Sequence, residues 1–344
     1  MTISAPAVSN PLPLHHDDAA IPAAIPGAAP GTSVLRLPDS ATLRARFPHE
    51  TFPIGHDLTQ HPLFALPRLI ELARALPRDQ LEYNSGNVGI TQAADDTPTV
   101  DLEPAEIIRR IETCGAWLVL KRVESDPAYR ALLEDILDGV AHSLGHASRQ
   151  EADFQDIRGF LFVSSPNSTT PFHADGEDNF FVQIHGDKFF HVYDNRDHGI
   201  ASEAQLEHII TRHRNLTFDE RYDAAATHYS LKPGDGIFVP YLWPHWIRTG
   251  NSYSISLAIT WKTKPVLWRN DGFVVNSMLR SLRLPQPDQG RWPAYDAMKI
   301  HAYRALRATL QPLRKSEGMR RLLRRLVLGR KANYYYREAG QPAE

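Results

Sequence analysis

The stretch Tyr229-Ser-Leu-Lys-Pro-Gly-Asp-Gly-Ile-Phe-Val-Pro-Tyr-Leu-Trp-Pro-His-Trp-Ile-Arg248 decides the fold class. Tyr229–Leu231 and Gly236–Pro240 are apolar runs of the length of one short strand. Between them, Lys232-Pro233-Gly234-Asp235-Gly236 is a tight turn by composition, because Pro presets one torsion and Gly supplies a positive φ. Trp246–Arg248 reads as the next strand. The same texture extends outward in both directions, through Gly159–Val163, Asn179–Ile184 and Phe189–Tyr193 upstream and Tyr253–Trp261 downstream. Many short strands at close spacing predict an antiparallel sandwich or barrel.

Upstream of Arg158 the apolar period changes. Leu66, Leu69, Ile70, Ala73 and Leu76 recur at helical spacing and stop at Pro77. A second helix is expected after Pro104, with Ile107, Ile108 and Ile111, followed by a strand over Ala116–Leu120. A third is expected over Tyr129, Leu132, Leu133, Ile136, Leu137 and Val140. Residues 196–227 are polar, helical or looped, and long for a barrel connection, which makes them a lid or substrate insert. From Tyr295 the chain reads as helical and basic, with Met319, Leu322, Leu323, Leu326 and Val327 on one face and Arg320, Arg321, Arg324, Arg325, Arg330 and Lys331 around it. The expected division is a disordered arm over 1–33, a helix-and-strand part over 34–150 packed on the barrel, the barrel over 151–268, and a basic helical region over 269–344.

Composition removes several function classes. The chain has 344 residues, 42% of them apolar and 23% charged, and its 38 basic side chains nearly balance 40 acidic ones. No global nucleic-acid footprint follows. The first thirty-odd residues contain no Lys or Arg before Arg36 and lack the apolar core of a signal peptide, and no segment approaches the roughly 18 uninterrupted apolar residues of a membrane span. The single cysteine, Cys114, can form neither an internal disulfide nor a thiolate zinc site. It reads as a small packed hydrophobe, and a reducing cytoplasm fits it.

The chemistry resides in Pro171-Phe-His-Ala-Asp175. An imidazole and a carboxylate two residues apart in extended chain project on the same side and can reach one ion. Trp243-Pro-His-Trp246 offers a further imidazole at a strand start, 245 − 175 = 70 residues later. Two His and one carboxylate on one face of an octahedron leave three positions open, which suits iron(II) taking a bidentate 2-oxoacid and then O₂. His173, Asp175 and His245 are therefore the candidate metal ligands, although a His-x-Asp triplet alone is a weak signal in a chain with sixteen histidines.

The continuation, His173-Ala-Asp175-Gly-Glu-Asp-Asn179-Phe-Phe-Val-Gln183-Ile-His-Gly186-Asp-Lys188-Phe-Phe-His-Val-Tyr193, resembles the iron-binding motif of the JmjC and cupin-like oxygenases. It is most similar to the asparaginyl hydroxylases that act on hypoxia-inducible factor. Gly234–Trp246 is similar to that family's second ligand segment, and Trp261 to the end of its last strand. The resemblance covers roughly residues 155–265. It implies a double-stranded β-helix, a jelly-roll core of cupin type, with N-terminal helices and a C-terminal helical tail. It also implies Lys188 and Thr170 on the distal carboxylate of 2-oxoglutarate and Asn179 in the cosubstrate or metal shell. Where the family has an asparagine in the last strand, this chain has Ile259 or Thr260.

The activity so implied is an iron(II)- and 2-oxoglutarate-dependent dioxygenase. It would consume O₂ and hydroxylate a protein side chain, a peptide or a small metabolite, with demethylation as the N-methyl version of the same reaction. The alternative is a non-oxygenase cupin-type metal protein, an isomerase or a small-acid sensor. A regulator binding nucleic acid through the basic tail is a third reading, which the neutral overall charge opposes. The tail itself is expected to pair with a second copy of the chain rather than lie on a membrane surface. His185 and His191 read as core or lining residues, Tyr193, Tyr229 and Trp243 as packing, and Asp187 as solvated.

Overall fold

The computed structural model describes residues 34–93, 96–212 and 215–310, all within one compact unit, Ser33–Glu344. The arm over 1–33 and the tail's Met319–Lys331 face lie outside the described residues. Among the described residues, twelve strands form two antiparallel sheets. Strands β5 (Gln155–Ser164), β7 (Asp178–His185), β10 (Asp235–Val239) and β12 (Ser254–Lys262) make the centre of the larger sheet. Strands β6 (Thr169–His173), β8 (Lys188–Val192), β9 (Thr227–Leu231) and β11 (His245–Thr249) make the smaller one. The orders β10-β7-β12-β5 and β6-β11-β8-β9 arise because the chain passes repeatedly from one sheet to the other. This is the expected double-stranded β-helix.

The larger sheet is extended at both edges to eight strands. β1 (Leu35–Arg36) and β2 (Phe52–His56) add beside β10, and β4 (Ala116–Lys121) and β3 (Leu81–Ser85) beside β5. The sequence pattern had shown β4 but not β1, β2 or β3. β2 contains Pro53 and Gly55, residues that argue against a strand, yet Phe52, Ile54 and His56 alternate inward and are buried.

Three apolar cores explain the composition of the strands. Phe180, Val182 and Ile184 of β7 face outward with Leu257, Ile259 and Trp261 of β12. They pack against α1 (Ser40–Arg46), α2 (Leu66–Ala75), α3 (Pro104–Arg109) and α4 (Pro127–Ser143), through Leu43, Leu69, Ile107 and Leu133 among others. Phe181 and Ala258 face inward and meet Phe190, Val192 and Ile247 from the smaller sheet. With both faces covered, β7 and β12 read as continuous apolar runs and not as alternating ones. The connection from β7 to β8 turns at Gly186, whose φ is +71° and where a Cβ would stand 2.2 Å from the Tyr253 carbonyl oxygen, so only glycine fits.

The third core joins the outer face of the smaller sheet to the polar insert. In α5 (Glu203–Arg212) Leu206 and Ile209 are buried with Phe172, Tyr193 and Trp246. The insert reads as polar because Glu203 and Glu207 are also buried, paired to Arg269 and Arg280 of α6 (Lys264–Ser281). These two carboxylates face a helix and not water. α7 (Pro293–Leu310) then packs on α6. Among the described residues no helix is long and apolar enough to cross a membrane. Cys114 is half-buried against the first core, with Sγ 3.7 Å from the Ile107 carbonyl oxygen and from Ser165 Oγ.

Trp261 is fully buried among Phe47, Phe154, Phe180 and Phe238, with ring centroids 5.0–6.2 Å away. Trp261→Ala is expected to cost about 3–5 kcal/mol of folding stability. Urea denaturation followed by circular dichroism measures it, and a loss below 1 kcal/mol would contradict this packing.

Candidate metal centre

The centre is built on the pairing of β6 with β11. His173 and His245 are direct register partners, and their ring centroids are 4.3 Å apart. Asp175 lies just past the end of β6, with its two carboxylate oxygens 4.0 and 3.8 Å from Nε2 of His173 and His245. One donor atom from each of the three residues falls within 4.8 Å of the others.

The tautomers follow from hydrogen bonding. Nδ1 of His173 lies 2.7 Å from the Pro171 carbonyl oxygen and Nδ1 of His245 lies 2.9 Å from that of Trp243. A carbonyl only accepts, so both Nδ1 atoms carry the proton and donate. Each Nε2 is left with its lone pair beside Asp175, the arrangement in which a backbone acceptor orients a metal-binding imidazole. Burial, reinforced by the neighbouring His173, holds His245 below the usual histidine range and so in the neutral form a metal needs. The approach to His245 is held by Leu242, which adopts φ +59°, buries its side chain and donates its N–H to the Asp175 carbonyl oxygen at 2.9 Å.

Beside this triad is a cleft of about 600 Å³ whose floor is the inward face of the larger sheet: Phe160 and Phe162, Ala258 and Thr260, Asn179 and Phe181. Thr170 and Asn179 both line it. Asn179 is buried and its side-chain oxygen has no hydrogen-bond partner, an unusual cost unless a ligand supplies a donor. Lys188 is buried on β8, not snorkelled toward solvent, and is not on the cleft wall. Its Nζ lies 5.4 and 4.9 Å from the rings of Phe162 and Phe181, which are, and donates to Ser256 Oγ at 2.8 Å. No carboxylate pairs with it among the described residues, and burial alone lowers its pKa to about 7.

Residues 135–266 match the family model of the cupin-like domain. Over this segment the chain is similar to that domain. JmjC domain-containing protein F of Dictyostelium discoideum is 28% identical over 139 residues, 34% of this chain and 29% of that protein. The chain thus matches under a third of its relative's length. A structure of Escherichia coli YcfD aligns over 84% of this chain and 71% of its own, at 13% identity and a TM-score of 0.45. A second, described as a ribosomal oxygenase in complex with cobalt and 2-oxoglutarate, aligns over 83% and 70%, at 14% identity and 0.44.

The same segment also presents residues that carry no signal in the sequence. Arg158 on β5 and Lys262 on β12 bind Asp156, at 2.9 and 2.7 Å, and Lys262 is 3.8 Å from Glu177. Arg158, Glu177 and Lys262 line the cleft, as do Ile209, Ile210 and Asn215 of the insert and Asn270 of α6. Burial raises the pKa of Glu177. Its position four residues after His173 was the only signal, and an acidic residue in a Gly-Glu-Asp loop ordinarily reads as solvated. His185 stacks on Tyr253, Asp187 is exposed, and Tyr193, Tyr229 and Trp243 sit in the apolar cores, off the cleft wall.

Asp178, beside the cleft, accepts from the Tyr241 N–H at 3.0 Å and is pushed up to about 7 by burial. A raised carboxyl pKa means the native state holds the proton more tightly than the unfolded chain. Stability from this group is therefore full below the unfolded value near 4 and is lost as pH rises through about 7. Asp178→Asn keeps the acceptor and removes the titration. Its stability relative to wild type is expected to rise between pH 5 and pH 8, by at most about 1.4 kcal/mol per pH unit up to the native pKa. Parallel denaturation midpoints at the two pH values would refute it.

Proposed function

We propose that this chain is an iron(II)- and 2-oxoglutarate-dependent oxygenase that hydroxylates a protein side chain, a peptide or a small metabolite. His173, Asp175 and His245 hold the iron. The observation that carries this reading is the committed tautomer of both imidazoles, which leaves two Nε2 lone pairs and one carboxylate on a common point at the edge of a cleft. Two His and one carboxylate fit a facial set with open positions. Iron(II) bound there supplies, with 2-oxoglutarate and O₂, oxidation of a substrate C–H bond with release of succinate and carbon dioxide.

The residues of the chain do the rest. Thr170 and Lys188 bind the remote carboxylate of 2-oxoglutarate, and Asn179 serves the cosubstrate through its amide N–H or the metal shell through its unpartnered oxygen, which needs a donor. A buried ammonium without an anion is costly, and a dicarboxylate supplies that anion. The aromatic floor and Ile209 and Ile210 of the insert keep water from the reacting atoms. One observation favours a second reading, a metal-binding cupin-type isomerase or sensor: Lys188 already donates to Ser256 and is off the cleft wall.

Calorimetric titration with manganese(II) tests the ligands. His173→Ala and Asp175→Ala are each expected to abolish binding while circular dichroism is unchanged, and wild-type affinity in both would remove the assignment. Lys188→Met separates the two readings. It should leave manganese binding intact and weaken 2-oxoglutarate by a few hundredfold, since breaking a buried pair costs on the order of 3–5 kcal/mol. Because the free ammonium titrates near 7, wild-type 2-oxoglutarate affinity should be full below pH 7. Above it, affinity should fall by up to about tenfold per pH unit, a slope absent in Lys188→Met. Identical titrations of the iron–2-oxoglutarate absorbance in the two proteins would favour the isomerase or sensor.

The chain is further assigned to a reducing cytoplasm and to a homodimer through its C-terminal helices. Supporting the dimer are Trp292, Met298 and Leu306, all large apolar side chains exposed on or beside α7. The double variant Trp292→Glu/Met298→Glu should elute as a monomer from size exclusion where wild type elutes as a dimer.

A further inference from the structure

The outer face of the smaller sheet carries a second cross-strand histidine pair. His191 on β8 is the register partner of His228 on β9, with ring centroids 4.6 Å apart and planes at 89°. The 3₁₀ turn Glu220–Ala225 of the insert brings Asp223 over them, with Oδ1 3.8 Å from His191 Nδ1. That distance is too long for a hydrogen bond, and His191 Nδ1 is buried with no hydrogen-bond partner. The ring is not free to turn away. Trp246, its neighbour on β11, stacks on it at 3.7 Å with planes 12° apart and is itself tied to the Tyr193 hydroxyl.

We infer that His191, Asp223 and His228 form a second metal site, for a zinc-class divalent ion, that clamps the insert to the barrel. One donor atom from each residue lies within 4.8 Å of the others. Zinc bonds of about 2.0–2.2 Å place tetrahedral ligands roughly 3.3–3.5 Å apart. The set must therefore close by about an ångström, which the exposed side chains of Asp223 and His228 can do. Two imidazoles and one carboxylate select zinc, cobalt or nickel over calcium or magnesium, and water completes the fourth position. Burial lowers the pKa of His191 and leaves its ring neutral, in the form that donates a lone pair.

The consequence is mechanical. Tyr222, next to Asp223, and Phe218 pack on Phe172, the residue before His173. An ion held by β8, β9 and the 220–225 turn would fasten the C-terminal end of the insert, whose Ile209, Ile210 and Asn215 line the cleft. The site stands independently of the reading given to His173, Asp175 and His245, and its test keeps the two apart.

Cobalt(II) titration of the full chain, followed by visible d–d absorbance and calorimetry, reads stoichiometry without activity. Wild type should bind two equivalents, His228→Ala one, and His173→Ala/His228→Ala none. Asp223→Asn, which leaves both imidazoles, should weaken the second equivalent by at least about tenfold. Zinc should slow proteolysis within 196–227 in wild type and in His173→Ala, but not in His228→Ala. His228 is exposed, so its loss does not threaten the fold. A stoichiometry unchanged in His228→Ala, or a second equivalent seen only at millimolar cobalt, would overturn the site whatever His173→Ala shows. Two equivalents retained in His173→Ala would instead count against the first centre.

Discussion

The register of β11 between β6 and β8 is the constraint on which the centre depends. In a strand, alternate residues face opposite sides, so a one-residue slip would turn every inward group outward. Here His245 and Ile247 face the cleft while Trp246 faces the insert. On β6 the parity is broken. His245 pairs with His173 but Ile247 pairs with Thr170, so three residues of β6 span two of β11. This bulge lets Thr170 and His173, three apart, line the same cleft. It falls where Pro171, which has no N–H to give a ladder, sits on an edge strand.

Around that register the barrel spends its interior on one polar chain. Lys188 donates to Ser256, Ser256 to Gln183 Oε1 at 2.7 Å, and Gln183 Nε2 to the carbonyl oxygens of His185 and Gly186 at 2.7 Å. Gln183 and Ser256 are thus fully satisfied, and only the charge of Lys188 is not. Replacing the chain with apolar residues would be neutral or favourable for folding alone. The 2-oxoglutarate proposed above would supply the anion that this ammonium lacks among the described residues.

Much of this was legible in the letters. Helices over 66–76 and 129–140 and the seven short strands from Gly159 onward coincide with observed elements, because the helices carry a strong 3.6-residue period and the strands are compact apolar runs bounded by polar or turn residues. Asp175 and the two histidines come together because strand geometry and a motif agree. The illegible parts have physical causes. β1 and β3 are too short or too evenly half-buried to carry a period, and β2 hides behind Pro53 and Gly55. Glu203 and Glu207 look solvated because their partners, Arg269 and Arg280, are more than sixty residues away in sequence. Arg158, Glu177 and Lys262 acquire meaning only when β5 and β12 lie side by side.

His191 shows the limit most clearly. As a letter in Phe-Phe-His-Val-Tyr it is one histidine in an apolar strand, for which packing is the ordinary explanation, and packing on Trp246 is indeed half of what it does. The other half needs His228, which is opposite only because β8 and β9 pair, and Asp223, which arrives only because the insert folds back over the sheet through Phe218 and Tyr222. The smaller sheet therefore carries a histidine pair on each face. The inner pair has each Nδ1 proton committed to a backbone carbonyl, and the outer pair leaves one buried Nδ1 with no partner. A buried nitrogen left unsatisfied in a position fixed by stacking costs about 1–3 kcal/mol, and an ion between His191, Asp223 and His228 removes that cost at the point where the insert returns to the smaller sheet.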